Sequence, residues 1–362
     1  MNKAFKFRLY PDNGQRVLLA KTFGSCRFIY NRMLADKIAH YEATKKSLRT
    51  TPALYKIEFP WLREVDSLAL ANEQLHLETA YKNFFRDKSI GFPNFKSKHK
   101  GNNSYTTNLV NGNIVLAGGY LKLPKLGMVR IRQHRQIPGD FRLKSVTVSL
   151  APSGRYFASL LYEYDLRVTN VSPVDVIGLD FSMGGLYVDD SGCCPAFPRP
   201  YRQAQAKLAQ EQRKLSKRKK GGSNYRKQKL KVAKLHEHVA NQRKDFLHKQ
   251  SRRIANAYDA VCIEDLNMKG MSQTLNFGKS VADNGWGMFV NMLDYKLAEQ
   301  GKRLIKVDKW FPSSKMCSAC GEIKDELPLS ERTYVCGCGL ICGRDLNAAI
   351  NIRNEGLRLI SA

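Results

Sequence analysis

Two kinds of residue in the second half of the chain could do chemistry: closely spaced cysteines, and acids at the ends of apolar runs. "CSAC" sets Cys317 and Cys320 two residues apart, and after a fifteen-residue spacer "CGC" sets Cys336 and Cys338 around one glycine. Four thiolates on two tight turns can reach one tetrahedral Zn²⁺ at about 2.3 Å. Glycines 321, 337 and 339 let the backbone fold beneath a metal and aim N–H groups at sulfur. The second pair is one residue shorter than the usual C-x₂-C. Cys342 lies beyond it and is expected to pack, or at most to stand in as a ligand. Cys26, Cys193, Cys194 and Cys262 have no metal spacing and are expected to be structural.

Asp180 ends "VIGLD", Glu264 ends "AVCIE", and Asp345 opens the helical stretch "DLNAAINI". Ligands of open α/β sheets sit beyond the carboxyl ends of the strands. If these three elements are neighbours, three carboxylates converge. Like charges raise one another's pKa, so such a cluster stays ionised only with cations. Two Mg²⁺ about 4 Å apart would neutralise it, one activating water and the other stabilising the leaving oxygen of a phosphodiester. Each acid also has a plain alternative. Asp345 could cap its helix. Asp180 could be a turn residue. Glu264 competes with Asp265, which faces the other side of a regular strand. Asp308 is a fourth acid at a strand end, and Asp283, before "NGWG", reads as a helix cap.

The elements that must position these groups follow from periodicity. Residues 3–10, "KAFKFRLY", alternate up to Pro11 and predict a strand; residues 15–87 read mostly helical, with Leu70, Leu77, Tyr81 and Phe84 near one face. From residue 90 to 165 the pattern is short alternating strands with Gly and Pro-Ser-Gly turns, which with the first strand predicts a small β-barrel interrupted by a helical insertion. At "DVIGLDFSMGGLYVDDSG" a buried-type strand and a turn into a second strand begin a new unit. Residues 201–258 are helical and basic, split by "KRKKGGSN" into a hairpin. "DAVCIEDLN", "GWGMFVNMLDYKLAEQG" and "KRLIKVD" add a strand, a helix and a strand, then come the cysteines and a last helix. Buried strands alternating with helices make residues 174–362 an α/β unit with a small insertion.

Composition points to the partner. The chain has 362 residues, 43% of them apolar, and 60 Lys and Arg against 32 Asp and Glu give a formal charge of +28. Such a balance, spread along the chain, calls for a polyanion, and nucleic acid is the default. There is no long apolar segment, no amphipathic anchor and no signal-peptide run at the N-terminus, so a membrane partner is not expected. A cytoplasmic location is expected instead, where thiols stay reduced. In the hairpin, Lys217, Arg218, Lys219, Lys220 and Arg226 have few acids nearby and read as a phosphate track. Arg344, beside Asp345, could stabilise developing charge or pair with a phosphate. Phe84, Phe85, Phe92 and Phe95 read as core residues rather than as base-stacking platforms.

The stretches "FKFRLYP", "CRFIYNRML", "LETAYKNFF", "GFPNFKSK", "LKLPKLG", "GLDFSMGGLYVDDSG", "KRKKGG", "IEDLNM", "CSACG" and "CGRDLNAAINI" run almost end to end. Together they resemble the TnpB/OrfB family of insertion-sequence RNA-guided endonucleases, which are related to type V CRISPR effectors. The resemblance implies a RuvC-like (RNase H-like) α/β nuclease domain over residues 173–315 and 341–362, with Asp180, Glu264 and Asp345 as its catalytic, magnesium-binding trio and Mn²⁺ as a substitute metal. It selects Glu264 over Asp265. It implies a zinc module at 316–340, a wedge β-barrel at 1–14 and 90–172, and a helical recognition domain at 15–89. It implies a guide RNA encoded near the transposon end and a double-stranded DNA target cut by phosphodiester hydrolysis next to a short flanking motif. Asn72, Gln74, Tyr105 and Thr107 lie where the family places contacts to that flanking duplex. A DNA-strand transposase and a non-cleaving, RNA-bound regulator are the competing functions.

Overall fold

The structure is a computed structural model that describes every residue except 99–102, 167, 275–282, 329 and 362. It falls into two units, Met1–Asp165 and Leu166–Ala362.

In the first unit, β1 (Asn2–Tyr10) buries Phe5, Phe7 and Leu9 on one face, as its alternation predicts. The other strands are β2 (Asn103–Asn108), β3 (Val115–Ala117), β4 (Tyr120–Leu123), β5 (Gly127–Arg132), β6 (Arg142–Leu150) and β7 (Tyr156–Glu163). They form one antiparallel sheet in the order β2-β6-β7-β1-β5-β4-β3, with the N-terminal strand near its centre. A register shift at Leu143/Ser145 adds local twist. Among the described residues the edge strands β2 and β3 do not pair with each other, so the predicted barrel is a half-barrel.

The first helix, α1 (Asn13–Thr44), starts at a capping box in which Asp12 Oδ1 accepts from the Gln15 N–H at 2.8 Å and Gln15 Oε1 accepts from the Asp12 N–H at 3.1 Å. After the short α2 (Pro52–Glu58), α3 (Ser67–Arg86) runs for 20 residues. Leu19, Ile29 and Met33 of α1, Leu70 and Leu77 of α3, and Phe7, Val146 and Leu160 of the sheet share one core. The helical insertion is therefore not free-standing; it is half of that core.

In the second unit a four-stranded sheet has the order β11-β10-β8-β9, built from β8 (Val176–Phe181), β9 (Tyr187–Asp189), β10 (Ala260–Glu264) and β11 (Arg303–Val307). β8, β10 and β11 are parallel, and β9 is antiparallel to β8. The helices are α4 (Pro200–Ser216), α5 (Ser223–Ala257), the short α6 (Met268–Thr274), α7 (Trp286–Ala298) and α8 (Arg344–Ser361). Side-chain period two sorts the sheet into faces. Ile177, Leu179, Val261 and Ile263 join a core with Leu247 and Ile254 of α5 and Phe289 and Leu293 of α7. The alternate residues Gly178, Asp180, Cys262 and Glu264 face α8. A β12–β13 hairpin (Thr333–Val335, Ile341–Gly343) lies just before α8. No described helix is long and apolar enough to cross a membrane.

Candidate active site

Register does the first part of the positioning. Cys262 pairs with Gly178 and Ile263 with Leu179 on parallel neighbours, so one residue on Glu264, the last of β10, stands beside Asp180, the last but one of β8. α8 supplies the third acid because it lies almost on the sheet. A Cβ at Gly178 would come within 2.1 Å of the Ala349 carbonyl oxygen, and one at Gly356 within 2.1 Å of Cys262 Sγ. Ala348, Ala349 and Ile352 are buried in this contact. Glycine and alanine are what such an approach requires, and it brings Asp345, in the first turn of α8, over the strand ends.

The electrostatics show the convergence. The Asp180 carboxyl is pushed well above the usual range, first by burial, then by the charges of Glu264 and Asp345; the Phe181 N–H and the Arg344 guanidinium pull it part of the way back. Burial also raises Glu264, against a hydrogen bond donated by the Ser313 hydroxyl. Arg332 stands 4.0 Å from Asp345. Hard carboxylate oxygens gathered at the strand ends are a donor set suited to divalent cations such as Mg²⁺. The competing acids lie elsewhere. Asp265 is exposed and pairs with Lys306 at 3.1 Å, while Asp308 accepts from the Trp310 N–H at 2.8 Å in a local turn. Asp283 does cap a helix, but a distant one: its carboxylate accepts the N–H groups of Tyr201 and Arg202 at the start of α4 and pairs with Arg243.

The cysteines form the second centre. The sulfurs of Cys317, Cys320, Cys336 and Cys338 all lie within 4.8 Å of one another. Cys317–Cys338 and Cys320–Cys336 are 3.7 and 3.6 Å apart. A tetrahedron with a metal–sulfur distance of about 2.3 Å has edges of about 3.8 Å, so the four thiols suit one Zn²⁺. Both knuckles close on a left-handed glycine whose N–H returns to the first cysteine's carbonyl: Gly321 to Cys317 and Gly339 to Cys336, each at 3.0 Å. The shorter knuckle omits one residue from this turn and keeps both ligands. Burial raises the Cys317 thiol, but N–H groups of Cys320 and Ala319 outweigh it and bring it down to about 6. Cys342 packs beside the cluster and outside the ligand set.

The two centres are tied by residues that the sequence reading passed over. Asn347 donates to the Met316 carbonyl at 2.7 Å and accepts from the Ser318 N–H at 2.9 Å. Asn351, one turn on, donates to the carbonyls of Ser313 and Met316 at 2.8 and 2.6 Å. Both side chains are buried. They staple the segment entering the zinc knuckle to α8, and the same segment carries Ser313 onto Glu264. The available signal was two asparagines at i and i+4 on the buried face of "RDLNAAINI".

The other predicted contacts separate. Lys217, Arg218, Lys219, Lys220 and Arg226 are exposed at the turn joining α4 and α5, where Gln228 holds the hairpin by donating to Glu211. Arg344 donates to the Pro328 carbonyl while its charge acts on Asp180. Asn72, Tyr105 and Thr107 do not present to a duplex. Asn72 is buried and bridges the Leu68 and Thr106 carbonyls, and Tyr105 and Thr107 point into the core at 2% and 0% exposure. Gln74 reaches the surface and donates to Glu78. The four phenylalanines are also corrected: Phe84 is only partly buried, and Phe85, Phe92 and Phe95 are 74%, 45% and 57% exposed.

Three family profiles match: "Helix-turn-helix domain" over residues 1–46, "Probable transposase" (OrfB_IS605) over 159–275 and "Cas12f1-like, TNB domain" over 286–352. In this chain residues 1–46 hold a strand and one long helix rather than two helices about a turn. A "Putative RNA-guided DNA endonuclease" of Streptomyces pristinaespiralis is 34% identical over 99% of this chain and 90% of its own length. One from Escherichia coli (strain K12) is 31% identical over 98% and 92%. The protein in a cryo-EM structure titled as a Cas12f1–sgRNA–target DNA complex has a similar fold, with a TM-score of 0.61, 13% identity and coverage of 98% and 99%. With relatives at this identity across nearly its whole length, the chain belongs to the OrfB/TnpB family of insertion-sequence proteins.

Proposed function

We propose that this protein is an RNA-guided DNA endonuclease whose RuvC-like domain hydrolyses phosphodiesters at Asp180, Glu264 and Asp345. The observation that carries this reading is geometric: strand register sets Asp180 beside Glu264, and the close approach of α8 at Gly178 brings Asp345 over them. Magnesium, when bound to these acids, supplies an activated water and stabilises the leaving oxygen. The chain's own residues do the rest. Asp180 and Glu264 are fixed by strand register, and Ser313 orients Glu264 by its hydroxyl. Arg344 and Arg332 add positive charge beside Asp345, where a scissile phosphate would sit. The exposed cations of the α4–α5 turn follow a nucleic-acid backbone. The four cysteines hold a structural zinc.

In this reading residues 1–14 and 90–172 form the wedge, and residues 15–89 the recognition domain that meets guide and flanking duplex. Gln74 is the predicted base contact that remains accessible. The guide comes from the transposon end and pairs with the target strand, so the protein itself reads only a short flanking motif. The test is to sequence RNA that co-purifies with the protein and reprogram its variable end. Magnesium-dependent cutting that follows the new guide supports the reading. Joining of transposon ends would show a strand transferase, and guided binding without cutting a regulator.

A further inference from the structure

The aromatic edge at the end of α3 touches the core only through Tyr81, and neither the core nor the nuclease site explains its exposed rings. Tyr81, Phe84 and Phe85 belong to the last turns of α3, and Phe92 folds back against them. Its ring meets Tyr81 and Phe84 edge-on at 5.5 Å, and Tyr81 and Phe85 stack at 6.3 Å. The rings brace one another while much of their surface stays in water. A soluble protein seldom exposes contiguous aromatic surface of this kind without a partner.

The edge is also held still. Asn31 of α1 clamps the backbone that follows Phe95: it accepts from the Lys96 N–H at 2.7 Å and donates to the Lys96 carbonyl at 2.9 Å. The Lys96 ammonium pairs with buried Glu73 and lies 4.2 Å from the centre of the Tyr30 ring. Pro93 is buried. A ligand would meet a rigid support and lose little entropy in ordering it.

Charge names the occupant. Residues 79–98 carry five cations and one acid, Asp87, whose carboxylate already accepts the Ser89 N–H at 2.9 Å. Lys82, Arg86, Lys88 and Lys98 are exposed in the same stretch of chain as the rings. A second copy of the chain is a poor fit, because a two-fold contact would set these cations against themselves. We propose that this edge is a stacking platform for an unpaired nucleic-acid segment, with bases on Phe85 and Phe92 and phosphates on Lys82 and Lys88. The proposal rests on the nucleic-acid-guided reading above, since opening a duplex creates such a segment. It adds where that strand is held. Aromatic faces accept any base, so the platform selects single strands over duplex without selecting sequence.

The test uses the full chain carrying Asp180→Ala, so that cutting plays no part. Binding of a twelve-nucleotide unstructured strand and of a twenty-base-pair duplex is measured against salt, with and without Phe85→Ala plus Phe92→Ala. Stacking is worth roughly 5- to 150-fold per base. The double change should weaken single-strand binding at least tenfold, leave duplex binding within about twofold, and keep the salt slope. Lys82→Gln plus Lys88→Gln should instead lower that slope by about 1.4. A thermal midpoint checks that each variant is folded. Equal losses on both probes, or no loss, would overturn the platform. So would a wild-type dimer in sedimentation that dissolves when the rings are removed. A chain that binds neither probe would overturn the guided reading as well, whereas intact binding by the variant, with no guided cutting by the chain that keeps Asp180, would fail that reading alone.

Discussion

The thiol cluster and the carboxylate cluster of the second unit are built on opposite plans. All four cysteines come from one 22-residue segment, and each knuckle is closed by its own backbone. The three acids come from positions 180, 264 and 345, and nothing local brings them together. They meet because two parallel strands keep one register and a helix lies on glycine-bare sheet. A local site should fail only when its ligands change. A site assembled by topology should fail when packing far from the acids changes.

That contrast can be broken or sharpened by four changes. The largest effect is expected from Cys320→Ser. It should take zinc from about one atom per chain to none by elemental analysis and leave residues 315–343 open to proteolysis, while the core of the four-stranded sheet stays protected in hydrogen exchange. Gly178→Ala comes next. Its new methyl would sit 2.1 Å from the Ala349 carbonyl, so α8 must lift. A loss of about 3 kcal/mol in denaturant unfolding and a large fall in cleavage are expected, with zinc content unchanged. Asn351→Ala leaves the Ser313 carbonyl without its donor and the Met316 carbonyl with Asn347 alone, and should cost about 1–3 kcal/mol. It should also slow cutting at saturating target with little effect on target binding, because it loosens the staple between the zinc segment and α8.

The smallest effect carries an opposite sign. The folded-state pKa of Asp180 lies above its unfolded value, so the metal-free chain loses stability as pH rises through that raised pKa. Asp180→Asn removes the loss. Its thermal midpoint should exceed the wild type's by about 2–4 °C at neutral pH without divalent cation, and the gap should vanish in acid. Added Mg²⁺ should close it by stabilising the wild type alone.

The same contrast explains what could be read from sequence. Cysteine spacing is local, so the four-cysteine cluster was legible in "CSAC" and "CGC". The strands of Asp180 and Glu264 were legible as apolar runs, and Ala348 and Ala349 marked the face of α8 that meets them. Which strands are neighbours is not local, so the residues alone left Glu264 against Asp265 open and the family resemblance chose. The misses have the same cause. Asp283 is a helix cap as read, but the helix it caps lies more than 80 residues away in sequence. Asn72, Tyr105 and Thr107 are polar by type, but they sit where α3 meets β2 and are covered. Phe85 and Phe92 are apolar by type, yet the last turn of α3 runs past the core after Tyr81 and leaves Phe85, and Phe92 beyond the helix, in water. Side-chain type predicts burial only while its element remains over the core.

The most direct test of the central claim is a paired measurement on Asp180→Ala: affinity for a guide-matched DNA target and single-turnover cleavage of that target with Mg²⁺ present. Affinity within about threefold of wild type with cleavage reduced at least 10⁴-fold is the predicted result. Cleavage near the wild-type rate would contradict the assignment of the strand-end carboxylates as the nuclease site.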